Sequence, residues 1–291
     1  GVSNVMHGGS GDDTLSGGGA SNVQHGEDGD DWLYVGGVGT WQTGGEGDDR
    51  LHANSAVCNV QDGGAGNDVI QGGGRFNLQS GGEGRDRIKA AGQFNGQLGG
   101  ESEDVPIATG WVGDNAQHGG DGDDLPFAST NLLNLQIGGD GDDMLVATGL
   151  SAWQFGDHLW SAIPTDLGFD DGKLAEMVDA IDGHFDTQGE GDNVLAALGG
   201  GAFQFGGSGD DVAVGLGVGN NQIAGGGDDV LISGGLNTVQ YADAGNDVLV
   251  GGGQSAVQFG GEGEDLLIGA TRTFVKKIPI AVTYQHGGDG D

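Results

Sequence analysis

Residues 44–52 read Gly-Gly-Glu-Gly-Asp-Asp-Arg-Leu-His, and the same pattern stands 18 residues earlier, at 26–34, as Gly-Glu-Asp-Gly-Asp-Asp-Trp-Leu-Tyr. It stands again at 8–16 (GGSGDDTLS) and at 63–71 (GGAGNDVIQ). Aligned on the acidic doublet, the series continues with GGEGRDRI at Gly81, GGESEDVP at Gly99, GGDGDDLP at Gly119 and GGDGDDML at Gly138. After a break it resumes with GEGDNVL at Gly189, GGSGDDVA at Gly206, GGGDDVL at Gly225, DAGNDVL at Asp243 and GGEGEDLL at Gly260. A fixed period of this kind marks a solenoid, in which each repeat is one turn and buries its apolar side chains only against its neighbours.

Between the acidic nonapeptides lie neutral ones: GGGASNVQH from Gly17, GGGRFNLQS from Gly72, SGGLNTVQY from Ser233 and GGGQSAVQF from Gly251. One turn therefore holds two nonapeptides, one on each side. Each turn should run strand, tight corner, strand, tight corner, with Gly accepting the positive φ and close backbone approach of the corners. In the acidic half the eighth position is apolar: Leu15, Leu33, Leu51, Ile70, Ile88, Leu145, Leu195, Leu231, Leu249 and Leu267. Its flanks in the early turns are polar, as in Thr14 and Ser16, Arg50 and His52, or Arg87 and Lys89. That is the period-two alternation of a half-buried strand.

The acidic units resemble the GGxGxDxUx nonapeptide of RTX, or haemolysin-type, calcium-binding proteins. The resemblance covers nearly the whole chain, apart from roughly 156–188 and 270–283. It departs from the family in one respect, because ordinary RTX arrays are acidic in both halves of the turn. The expected fold is all-β: a right-handed parallel β-roll or β-solenoid of about 18 residues per turn, with one helical insertion. Its layout is β-roll turns over 1–155, an insertion over 156–188, β-roll turns over 189–269, a second insertion over 270–283 and the start of a further turn over 284–291.

Composition narrows the function. Of 291 residues, 68 are Gly and 44 are Asp or Glu, against nine Lys or Arg, and the formal charge is -35. A thick core cannot be built from this, and four Pro without a three-residue period exclude collagen. Such charge repels nucleic acid and anionic lipid, and opposes compaction unless cations are taken up. The one cysteine, Cys58, supplies neither a disulfide framework nor a thiolate zinc site. No apolar run reaches the roughly 18 residues of a membrane span. The chain opens and stops inside repeats without capping turns, as expected of a window from a longer chain or of a unit that stacks end to end.

The sixth position of the acidic nonapeptide is the candidate metal ligand: Asp13, Asp31, Asp49, Asp68, Asp86, Asp104, Asp124, Asp143, Asp211, Asp229, Asp247 and Asp265, with Asn193 the exception. Its neighbour at the fifth position varies (Asp12, Asn67, Arg85, Glu103, Asn246, Glu264), which a merely solvated charge run would not explain. With strands about 4.8 Å apart these carboxylates would form a repulsive column unless cations sat among them. Ca²⁺ takes six to eight oxygens, backbone carbonyls included, whereas Mg²⁺ demands a tighter octahedron and keeps its water. Multiple Ca²⁺ ions in one row along one edge are therefore expected. Weak links are expected where Ser102 replaces a corner glycine and where Pro106 and Pro126 stand at the inward position.

The neutral half carries a second column: Gln24, Gln42, Gln61, Gln79, Gln97, Gln117, Gln136, Gln154, Gln204, Gln222, Gln240 and Gln258, with Met6 and Asp186 in the corresponding places at the start and after the insertion. Register puts these side chains inward, where stacked amides can bond along the axis. Apolar flanks such as Trp153 and Phe155 would argue the reverse, for a row facing a ligand or partner. In the first insertion Leu174, Met177, Val178 and Ile181 have amphipathic helical spacing. In the second, Arg272, Lys276 and Lys277 gather a third of the basic residues. Later turns carry apolar outer flanks (Met144 and Val146, Val212 and Val214, Val230 and Ile232, Val248 and Val250, Leu266 and Ile268), a strip that implies a cover.

No HExxH, GxSxG or Walker A motif occurs, so catalysis is not expected. Two function classes stay open. One is a calcium-binding structural protein outside the cell or on its surface, self-associating or binding other surface proteins as a filament, surface layer or adhesin. The other is the calcium-triggered folding and secretion module of a larger exoprotein.

Overall fold

The computed structural model describes residues 3–110, 113–129, 132–157, 191–253, 255–269 and 283–289. They fall into two compact units, Gly1–Gln136 with Val146–Gly149, and Ile137–Leu145 with Leu150–Asp291. Each is an all-β parallel β-solenoid of about 18 residues per turn, and no helix occurs among the described residues. The segments 158–190 and 270–282 lie outside these residues, and with them the expected helix at Leu174–Ile181 and the basic cluster at Arg272, Lys276 and Lys277.

Register follows the sequence repeat. In the first unit, strands Thr14–Asp28, Trp32–Glu46 and Arg50–Ala65 align Leu15 with Leu33 and Leu51, and Gln24 with Gln42 and Gln61. In the second, Val212–Val218, Val230–Leu236 and Val248–Gly251 align Ala213 with Leu231 and Leu249. Each coil is so thin that its acidic strands fill the centre with one large apolar residue and, two places on, a small one such as Val35, Ala53 or Ala90. Leu15, Leu33, Leu51, Ile70 and Ile88 form one such column, and Leu231 and Leu249 pack with Ala213, Ala224 and Ala242 in the other unit. Burying each large side chain contributes about 1.5–3 kcal/mol.

Opposite the leucines stands the glutamine column, and it faces inward. Gln24, Gln42, Gln61 and Gln79 are fully buried, as are Gln204, Gln222, Gln240 and Gln258 in the second unit. Gln42 Nε2 donates to Gln24 Oε1 at 2.7 Å, Gln61 to Gln42 at 2.9 Å and Gln79 to Gln61 at 2.9 Å. The second amide hydrogen crosses the coil to the carbonyl of the inward apolar residue, as from Gln42 to Leu33 (3.0 Å) and Gln240 to Leu231 (2.9 Å). The ladder thus satisfies the amides along the axis and also ties the two faces of the roll together. The flanks lie on the opposite face of the strand, where Trp153 is exposed and Phe155 buried, and two pairs stack in register, Phe155 on Phe205 and Tyr241 on Phe259. Gln154 pairs directly with Gln204, and the place expected for Asp186 lies outside the described residues.

The expected weak links behave differently from one another. Ser102 takes the left-handed backbone its glycine counterparts adopt, with φ of 80°. Pro106 remains within strand Val105–Thr109, paired in register with Ile88, so the expected disturbance is absent there. At Pro126 it is present, and only Phe127–Ser129 remains as strand. Both proline carbonyls still accept from the ladder, Pro106 from Gln117 and Pro126 from Gln136, each at 2.8 Å. The inward Gln–carbonyl bond does not require the missing N–H.

Outer flanks of the second unit line up as two rows, Val212, Val230, Val248 and Leu266 beside Val214, Ile232, Val250 and Ile268. Leu266 and Ile268 are about half exposed.

Candidate metal centre

The sixth-position aspartates do stack, one per turn, at the corner preceding the leucine strand. Their geometry is a relay. Asp13 N donates to Asp31 Oδ1 at 2.7 Å, Asp31 N to Asp49 Oδ1 at 2.8 Å, and the pattern continues through Asp68, Asp86, Asp104 and Asp124. In the second unit it links Asp211, Asp229, Asp247 and Asp265 at 2.8–3.1 Å. One carboxylate oxygen thus caps the backbone N–H of the preceding turn, a bond the repeat requires because that N–H has no ladder partner.

The other oxygen is different. In Asp31, Asp49, Asp68, Asp86, Asp104, Asp211, Asp229, Asp247 and Asp265, Oδ2 is buried and has no hydrogen-bond partner. In Asp31, Asp49, Asp68, Asp86, Asp104, Asp211 and Asp265 it lies against the first glycine of its own nonapeptide, a place that Ala224 and Ala242 hold in the turns of Asp229 and Asp247. A Cβ on Gly44 would collide with Asp49 Oδ2 and with the Gly63 carbonyl oxygen, and one on Gly26 with Asp31 Oδ2 and the Gly44 carbonyl. The space beside Gly26 and Gly44 is therefore shared by a carboxylate oxygen and a carbonyl oxygen of the next turn. Two acceptors turned toward one space are favourable only around a cation or a shared proton.

The carboxyls register this. Burial, more than the neighbouring carboxylates, pushes Asp49 and Asp247 up to about 6, Asp68, Asp86, Asp104 and Asp211 to about 7 and Asp229 to about 8, against the opposing pull of the backbone N–H bond. Asp31 is raised for the same reason. Mutual repulsion, the cause the spacing suggests first, is the smaller one.

The fifth position forms an outer relay running the opposite way. Asp30 N donates to Asp12 Oδ1 at 3.1 Å, Asp48 N to Asp30 Oδ1 at 2.9 Å and Asp228 N to Asp210 Oδ1 at 2.7 Å. These side chains are exposed, which is why the position tolerates Asn67, Arg85 and Glu264. Arg85 there pairs with Glu103 at 2.7 Å.

The neutral corner of the first unit explains why one edge alone is acidic. Its sixth position holds Asn22, Thr40, Asn59, Asn77, Asn95, Asn115 and Asn134, a column that sequence reasoning missed although it shares the period of the aspartates. Asn59 Nδ2 donates to Asn77 Oδ1, Asn77 to Asn95 and Asn95 to Asn115, at 2.7–2.8 Å. An amide carries both donor and acceptor, so from Asn59 onward this column satisfies itself, although Asn22 Nδ2, one turn before Thr40, finds no partner; a carboxylate column cannot do this.

Among the described residues no cluster of three or more His, Cys, Asp or Glu side chains is found, so any ion at these corners would draw most of its oxygens from backbone carbonyls. No helix among these residues is long and apolar enough to cross a membrane. No protein-family model matches the chain, nor does any curated protein or solved structure.

Proposed function

We propose that the protein is a calcium-binding structural β-roll that works outside the cell, its acidic corners holding Ca²⁺ between successive turns. One observation carries this reading: the row of buried Oδ2 atoms without a partner, set beside a backbone carbonyl at Asp31, Asp49, Asp68, Asp86, Asp104 and Asp211. The sixth-position aspartates, Asp13 to Asp124 in the first unit and Asp143 to Asp265 in the second, would supply one oxygen each. Carbonyls of the glycine-rich corners would supply others. A bound divalent ion would contribute the positive charge that keeps the carboxylates ionised at neutral pH. The residues present suit Ca²⁺ better than Mg²⁺, because irregular carbonyl-rich shells match its larger and more flexible coordination. The likeness of the repeat to the RTX nonapeptide supports the same reading and places the protein where calcium is abundant. Before export, with calcium scarce, charge repulsion would keep the chain unfolded.

The in-register apolar rows of the second unit, with Leu266 and Ile268 about half exposed, favour a self-associating surface or filament component over a folding module serving a separate catalytic part. Calcium titration followed by far-ultraviolet circular dichroism tests the first part. The expected result is several ions retained per chain and β signal that appears with calcium and not with magnesium. Identical spectra in calcium and in chelator, with no ion retained, would refute it. Electron microscopy of the calcium-loaded protein tests the second, long uniform fibres being expected and discrete particles selecting the secretion module.

A further inference from the structure

One corner of the second unit is built differently from the rest. Gly156 and Asp157 hold the first and second places of its nonapeptide, since Gly156 N donates to Phe205 O (2.7 Å) and Asp157 N to Gly206 O (3.0 Å). The turn resumes at Gly191, Asp192 and Asn193, which take the fourth to sixth places. The long insertion is thus spliced into the acidic corner itself, between its second and fourth residues.

Asn193 keeps half of the aspartate's role. Its Oδ1 accepts from Asp143 N at 2.9 Å, and its own N donates to Asp211 Oδ1 at 2.8 Å, so the backbone relay passes through unbroken. The other half is changed by one atom. Where an aspartate would place Oδ2 against the first glycine, Asn193 places Nδ2 against Gly156. That nitrogen donates to Asp157 Oδ1 at 2.7 Å and to Gly191 O at 3.1 Å. Asp157 is almost fully buried, and its second oxygen accepts from Ser208 N at 2.8 Å. Both carboxylate oxygens and both asparagine atoms are therefore satisfied by protein alone.

We infer that the Asp157–Asn193 pair is a metal-independent clasp, which closes this interrupted acidic corner without calcium and so lets the insertion be carried there. An amide N–H in the place of Oδ2 repels a cation, and it supplies locally the positive end that an ion supplies at the other corners. The inference rests on the calcium reading of those corners, and it divides the second unit's ion row at a defined place. It also gives that unit one corner that is complete before calcium arrives.

The test uses the full chain and its Asn193→Asp variant, with bound calcium counted by atomic emission after equilibrium dialysis. Replacing Nδ2 by oxygen sets two carboxylates against Gly156, and the expected result is one more ion per chain in the variant than in the parent. Equal counts overturn the inference and leave the calcium reading standing. No calcium on either protein removes the calcium reading and the inference with it. Hydrogen exchange on the unmutated chain gives a second measurement that does not depend on a variant folding. As calcium is withdrawn in steps, exchange of the Asp211 and Asp229 amides should speed at least about tenfold at a chelator concentration that still leaves the Ser208 amide within about threefold. A Ser208 amide as sensitive to chelator as the others overturns the clasp.

Discussion

Stripped of calcium, the protein should lose its fold as pH rises, the reverse of ordinary acid unfolding. The raised carboxyls are Asp49, Asp68, Asp86 and Asp104 in the first unit and Asp211, Asp229 and Asp247 in the second, with folded values of about 6 to 8 against an unfolded 3.8. A group whose folded pKa is raised binds its proton more tightly in the native state. Its stabilisation is complete below the unfolded value and is lost as pH climbs through the folded one. Between pH 5 and pH 9 these groups span roughly two units each, worth about 3 kcal/mol apiece before screening. Solvent at the corners reduces that to about 1 kcal/mol each, or about 3–4 kcal/mol per unit of the chain. That is a large share of the roughly 5–15 kcal/mol that holds a domain together. The assay is a urea midpoint measured in chelator at intervals from pH 5 to pH 9, and again in excess calcium. The midpoint should fall steadily through pH 6–8 in chelator and stay nearly level in calcium, because an ion takes the place of the shared proton. A metal-free midpoint that is flat or rises across this range would show that the buried oxygens are not strained by ionisation, and the reasoning would fail.

Further outcomes follow from particular contacts. Gln222→Leu removes an amide that donates to Gln204 Oε1 and Ala213 O and accepts from Gln240; the acceptors it strands should lower stability in calcium by about 2–4 kcal/mol despite the added apolar burial, read from the urea midpoint. Asn77→Asp puts a carboxylate into the self-satisfied amide column between Asn59 and Asn95; it should destabilise by about 3 kcal/mol, and more at pH 8 than at pH 5, since no partner charge awaits it. Gly44→Ala drives a methyl group into Asp49 Oδ2 and the Gly63 carbonyl, so the variant should retain fewer calcium ions by direct metal analysis, whereas Gly226→Ala, where a Cβ meets open space, should retain the full number. Val230→Glu with Val248→Glu charges an outward row of the second unit; sedimentation velocity should show less self-association with little change in the urea midpoint.

The period of 18 residues, the inward leucines and the inward glutamines were all legible in the chain, because a coil this thin leaves each strand only a short inward face to fill its centre. Alternation along the strand then determines which residues take it. Position in the repeat likewise separated the constant Asp49 class from the tolerant Asp48 class, since burial constrains one and water relaxes the other. What stacking alone decided is which atoms meet. Nothing in the spelling of Asp31 says that Oδ1 caps a neighbour's N–H while Oδ2 is left facing a carbonyl, or that Asn77 closes its own column where an aspartate could not. The pairing of Asp157 with Asn193 spans 36 residues and an insertion, and no local pattern announces it. It exists because one corner is shared by two stretches of chain, ending at Asp157 and resuming at Gly191, so residues 36 positions apart stand as near neighbours of a single nonapeptide.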